Sequence, residues 1–135
     1  MYIRKATAQD QLSIIRSLQN KHIEYNTPSH IKTDIARGRL FVAIENNKIV
    51  AQCALVEEPT YHYTALKRLC IYNKKNYGKG IANQFIQFFI ETTNCALGAT
   101  PWTDNGAMAH LLTKYGFTHQ YTFMGNYEFY LRQAD

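Results

Sequence analysis

The sequence predicts a mixed α/β fold: one domain over residues 1–135, with a mixed sheet flanked by about four helices. Three observations predict it. Segments of β-branched, alternating character and segments of helical spacing follow one another in the order β-α-α-β-β-β-α-β-α-β-β. The 135 residues, 46% of them hydrophobic, suffice for one sizeable core and leave little room for a second domain. Turn and break signals fall between these segments.

Tyr2 to Lys5 reads as a short strand. Thr7 and Asp10 offer side-chain oxygens to cap a helix, in which Ile14, Ile15 and Leu18 recur at helical spacing after Leu12. Asn20 to Ser29 is polar and contains Pro28, so a loop is expected there. A second helix spans Ile31 to Ala36 and stops at Gly38. Leu40 to Glu45 and Ile49 to Glu57 form a hairpin about Asn46 and Asn47, residues that tolerate the positive φ of tight turns.

Pro59 ends the second of these strands, and Tyr61 to Tyr72 holds the next. Strict alternation there puts Leu69 and Ile71 on one face, Arg68 and Cys70 on the other. Phe85, Phe88 and Phe89 mark an amphipathic helix running to about Glu91, and that stripe is read as core. Cys95 to Ala99 is a strand ended by Pro101. Asp104 or Asn105 caps a helix carrying Met108, Leu111, Leu112 and Tyr115, closed by Gly116. Tyr121 to Phe123 and Tyr127 to Leu131 flank a turn at Met124-Gly125-Asn126.

Composition narrows the class. Charged residues are 19%, too few for a solvated disordered chain. No stretch approaches the roughly 20 apolar residues of a membrane helix, and no apolar segment follows Met1 to Lys5 as a secretory signal requires. Cys53, Cys70 and Cys95 are odd in number and widely spaced. That argues against a disulfide framework or a zinc site and for reduced core thiols in the cytoplasm. His110 and His119 lack metal-ligand spacing, so no metal is expected. The net charge of +5 favours an anionic partner: a phosphorylated cofactor, an acidic substrate or nucleic acid.

The most informative segment is the strand, basic glycine-containing loop and helix from Leu69 to Phe89. Gly78 and Gly80 let the backbone approach a ligand closely. The following helix supplies unpaired amides and the positive end of its dipole, which together suit a pyrophosphate. Lys74, Lys75 and Lys79 add charge at the rim. A tight strand-to-helix turn is the competing explanation for so short a motif. The spacing is neither that of a P-loop nor that of a dinucleotide fingerprint, which needs a third Gly and a first βαβ unit.

Four stretches resemble, in order, those of the GCN5-related N-acetyltransferase (GNAT) family. Tyr2 to Thr7 with Asp10, Ile14 and Leu18 resembles its opening strand and helix. Phe41-Val42-Ala43 with Asn46 to Ala51 resembles its central hairpin. Leu69 to Ala82 is similar to its motif A, Q/R-x-x-G-x-G/A, with Gly80 and Ala82 on the last two positions. Asn105, Lys114, Gly116 and Phe117 resemble its late Asn-to-Gly-Phe signature. The resemblance covers nearly the whole chain.

It implies an acetyl-coenzyme A co-substrate, held at the pyrophosphate by amides of Gly78, Lys79, Gly80, Ile81 and Ala82. It implies that Leu69, Cys70 and Ile71 form a strand splayed from its neighbour near Cys95 to Ala99, where backbone groups pair with the pantetheine arm. An amide near Ile71 would polarise the thioester carbonyl. Asn105 falls on a residue that contacts the pantetheine. Two positions depart: Tyr77 stands at the Q/R position, and Leu112 stands where the family often has a tyrosine acid.

The attacking amine must lose a proton, so a base is needed. Glu57 and Glu58 end the hairpin's second strand, and Glu57 is the preferred candidate; a solvated strand-end charge is the alternative. His62, between Tyr61 and Tyr63, is a second candidate through its imidazole but suits an aromatic substrate wall or plain surface equally. Tyr115 is read as core packing. The leading function is an N-acetyltransferase for a small-molecule or peptide amine. The alternatives are a coenzyme A-binding module with weak or lost catalysis, and a nucleic-acid binder or modifier. Loop Asn20 to Ser29, Pro59 to Thr64 and the last hairpin are expected to shape the acceptor pocket. The late strands offer an edge for a homodimer.

Overall fold

The computed structural model describes residues 1–18 and 28–135. Its strands are β1 (Tyr2–Lys5), β2 (Leu40–Glu45), β3 (Lys48–Glu58), β4 (Tyr63–Ile71), β5 (Leu97–Ala99), β6 (Thr118–Phe123) and β7 (Tyr127–Arg132). Its helices are α1 (Gln11–Leu18), α2 (Pro28–Ala36), α3 (Ile81–Thr92) and α4 (Gly106–Lys114). The order of elements is the one the sequence predicts. The strands form a seven-stranded sheet in the order β1-β2-β3-β4-β5-β7-β6. β4 and β5 run parallel. β1–β2, β2–β3, β5–β7 and β6–β7 are antiparallel.

The chain divides into two compact units. The first comprises residues 1–55 and 68–85. β2 is buried almost throughout, which explains its unbroken apolar sequence Leu40-Phe41-Val42-Ala43-Ile44. Asn46 and Asn47, at φ 51° and 62°, make the β2–β3 turn. Ile14 and Leu18 of α1 and Ile31 of α2 are buried.

α2 begins at Pro28, three residues before the expected Ile31. Pro28 and Ser29 therefore belong to a helix, not to the expected loop; the remainder of that loop lies outside the described residues. Proline opens the helix because the first turn has no use for its missing N–H, and its fixed φ is already helical. Gly38, at φ 65°, closes α2: its N–H donates to Ile35 O at 3.0 Å, and the Arg39 N–H donates to Asp34 O at 2.9 Å.

The second unit comprises residues 56–67 and 86–135. Ile86, Phe89, Leu97, Leu112 and Phe117 are fully buried. β5 is only Leu97–Ala99, two residues shorter at its start than expected, and Cys95 is half-buried with its Sγ 3.5 Å from Thr64 Oγ1. β4 starts at Tyr63, since Pro59–Tyr61 forms a 3₁₀ turn and His62 a left-handed residue at φ 60°. Tyr115 ends α4 half-buried; it is not a core residue. Gly116 closes α4 as Gly38 closes α2, with the Phe117 N–H donating to Leu112 O at 3.0 Å.

Candidate functional site

Most of the expected cofactor residues lie in the first unit: Leu69, Cys70 and Ile71 at the end of β4, then the loop through Tyr77, Gly78, Lys79 and Gly80 into α3. The loop is built in short steps. Asn73 Oδ1 accepts from the Lys75 N–H at 3.0 Å and starts a 3₁₀ turn over Lys74–Asn76. Tyr77 is extended and half-exposed. Gly78 and Gly80 both stand at φ 77°, in the left-handed region where a side chain is strained. A Cβ at either would meet nothing within 4 Å, so the surface over both is open.

Gly80 O accepts the Gln84 N–H at 3.0 Å, the first rung of α3. Gly80 thus occupies the cap position while bringing no side-chain acceptor of its own to the first-turn amides. Ile81 is buried and anchors the turn, whereas Lys74, Lys75 and Lys79 are exposed. Lys79 Nζ donates to Asn76 Oδ1 at 3.2 Å. Positive φ, open space, an N-terminal helix end and three lysines together suit a diphosphate. The unit as a whole carries 12 Lys and Arg against four Asp and Glu, and the second unit three against six.

The end of β4 departs from the expected alternation. Arg68 stands at φ 56°, a left-handed residue inside a strand, so the strict two-face pattern breaks there. Two groups hold it, and a third holds one of them. Arg68 Nε donates to Asp34 Oδ2 at 2.7 Å, and its Nη2 to Asp34 Oδ1 at 2.8 Å. Gln52 Nε2 donates to the Arg68 carbonyl at 3.2 Å. Tyr72 Oη in turn donates to Gln52 Oε1 at 2.7 Å, and burial pushes the Tyr72 phenol well up from its ordinary range. Asp34 is fully buried and also accepts from Arg39 Nε at 2.7 Å.

Sequence reasoning missed this cluster. One signal was present: Asp34 shares the α2 stripe of Ile31 and Ile35, where a charge is out of place unless paired.

The other expected residues lie in the second unit. Glu57 is exposed at the end of β3, and its neighbour Glu58 pairs with Lys67 Nζ at 3.3 Å. His62 is exposed. Asn105 caps α4, its Oδ1 accepting from the Met108 N–H at 3.2 Å, so its Oδ1 is engaged in the helix end. Leu112 is fully buried. The β4–β5 ladder holds three pairs, Thr64↔Leu97, Ala65↔Gly98 and Leu66↔Ala99. β5 stops at Ala99, while β4 runs on to Ile71.

Similar architectures are found among solved structures. A GNAT-family acetyltransferase from Streptococcus agalactiae superposes with a TM-score of 0.82 at 21% identity, over 99% of this chain and 95% of that one. One from Bacillus cereus gives 0.81 at 17%, over 99% and 97%. The chain has the GNAT fold. Ard1 of Thermoplasma volcanium superposes with a TM-score of 0.79 at 17% identity, over 99% of this chain and 97% of that one. No protein-family model and no curated protein matches the sequence. Among the described residues, no helix is long and apolar enough to cross a membrane.

Proposed function

We propose that this GNAT-fold chain, acting as one acyltransferase domain over residues 1–135, moves an acetyl group from acetyl-coenzyme A to a primary amine by direct attack. The carrying observation is the loop before α3, where two left-handed glycines face open space at a helix N-terminus and three exposed lysines belong to the same loop. Amides from Gly78 to Ala82 hold the diphosphate, and Lys74, Lys75 and Lys79 neutralise it. Leu69 to Ile71 present main-chain groups to the pantetheine and thioester, and Asn105 contacts the pantetheine. When bound, the co-substrate supplies an activated acyl carbon and a thiol leaving group.

Glu57 is the proposed base for the ammonium proton. It makes no ion pair among the described residues, whereas Glu58 is engaged by Lys67. His62 is the second candidate, exposed two residues before the β4–β5 ladder begins. The buried Leu112 offers no acid. The thiolate of a thiol with an ordinary pKa of about 8.5 is a good enough leaving group to depart without an acid and then takes its proton from water, so that absence is tolerable. A reducing, cytoplasmic setting goes with this reading, since Cys53, Cys70 and Cys95 are odd in number and widely spaced.

The test pairs calorimetry of coenzyme A with thiol release across a panel of amines. Wild type is expected to bind and turn over. Gly80→Glu sets bulk and negative charge in the cradle and should abolish binding. Absence of coenzyme A binding in the wild type would falsify the assignment. A second reading, a coenzyme A-binding module without turnover, draws support from Leu112. Tight binding with no thiol release for any amine would favour it.

A further inference from the structure

We propose that Asp34, acting through Arg68, is a positioning residue of the β4 strand. Its buried carboxylate fixes the left-handed kink at Arg68, and with it the direction in which Leu69 to Ile71 present their amides to the thioester carbonyl. The inference rests on the acetyltransferase reading, but its structural half stands without any ligand.

A non-glycine residue at φ 56° within a strand is unfavourable and persists only where its surroundings impose it. At Arg68 they do so from two directions. The guanidinium is clamped in a two-pronged pair with a fully buried carboxylate on α2. The carbonyl of the same residue is held by Gln52 on β3, itself fixed by the Tyr72 hydroxyl beyond the strand's end. Side chain and main chain of one residue are thus tied to separate elements of the same unit. The next three residues are Leu69 to Ile71.

A strand turned at one residue changes the facing of every group after it. The interaction that fixes Arg68 therefore sets the aim of those that follow. Arg39 provides an internal control. It binds the same carboxylate at 2.7 Å, through the Oδ1 that Arg68 Nη2 also takes, but its backbone belongs to the α2–β2 connection and not to β4. Loss of Arg39 unbalances the buried charge without releasing the kink.

Arg68→Gly separates the two halves of the claim. Glycine accepts the left-handed conformation freely, so the variant relieves the strain while removing the clamp. Arg68→Lys, which keeps the charge and loses the fork, is its milder companion. Hydrogen exchange is read on ligand-free protein. Infrared spectra then follow the carbonyl of bound acetyl-coenzyme A labelled with ¹³C at the acetyl carbon. In both variants the Leu69–Ile71 amides should exchange about tenfold faster, and the red-shift of the labelled carbonyl should shrink. The kcat should fall by about 10- to 100-fold, as for a mis-aimed reacting geometry, with KM for the donor within about twofold. Arg39→Gln should keep Leu69–Ile71 protected whatever its melting temperature.

Unchanged exchange and an unchanged carbonyl frequency in Arg68→Gly overturn the inference, even if the variant melts early. Wild-type protein that binds no coenzyme A overturns the transferase reading and the positioning role together. The exchange data, taken without ligand, then show whether the kink lock itself is real, so the two failures are told apart.

Discussion

Asp10 shows how much one carboxylate organises. Its two oxygens take a forked pair from Arg4, at 2.7 and 3.0 Å, and the Thr7 N–H donates to it at 2.7 Å. The Arg4 hydrogen bonds chiefly, with help from Thr7, lower its pKa from 3.8 to about 2. A carboxyl depressed in the folded state stabilises the protein above its unfolded pKa and loses that contribution as pH falls toward the folded value. Asp10→Asn should therefore cost about 1 kcal/mol at pH 7, after allowance for solvent screening. The gap between wild type and variant should narrow from about pH 5 downward and close only near pH 1, below both pKa values. Urea midpoints of the two proteins across that range check it; a gap that does not narrow as pH falls from about 5 to 1 contradicts it.

Among the elements, β5 illustrates a strand whose middle residue is chosen by its neighbours. A Cβ at Gly98 would lie 2.6 Å from two ring carbons of Tyr63 and 3.2 Å from the Phe129 ring. The Tyr63 and Phe129 ring centroids are 5.3 Å apart, so neither ring can retreat without opening the pair. Gly98→Ala should therefore destabilise by about 1–3 kcal/mol through overpacking. Adding Tyr63→Ala should recover part of that loss, a coupling that thermal melts of the single and double variants measure. Equal losses with and without Tyr63 would show that the ring is not the obstacle. The helix ends carry a similar lesson: Gly38 and Gly116 each close a helix with the same pair of hydrogen bonds.

At the scale of the whole molecule, charge divides as sharply as structure does. The surplus of +5 arises because the first unit holds 12 of the 15 basic residues, and the second is net acidic. Coenzyme A affinity should weaken steadily as salt rises from about 0.05 to 0.5 M, most of it in the association rate. Calorimetry and stopped-flow mixing check that; affinity indifferent to salt would remove the lysines from the cradle. The order of elements was legible because each segment carries its own period, and the two hairpin turns because Asn46-Asn47 and Gly125 announce positive φ. The start of α2 was not, since Pro28 reads as a breaker unless its position in the first turn is known. The kink at Arg68 was not either: arginine gives no local hint of left-handed backbone, and its partner Asp34 is 34 residues away. Asn105 was readable as a cap from its place before the Met108 to Tyr115 helix.

The lone tryptophan has a use of its own. Trp102 is half-exposed, its ring centroid 4.8 Å from that of Tyr127 in a tilted contact, and the two residues are joined by an isolated bridge, wholly inside the second unit. Its fluorescence consequently watches one half of the polypeptide and is blind to melting of the other. Disagreement between an emission-monitored denaturation curve and a far-ultraviolet dichroism curve would reveal halves that come apart in separate steps; coincident curves would mark a single cooperative transition.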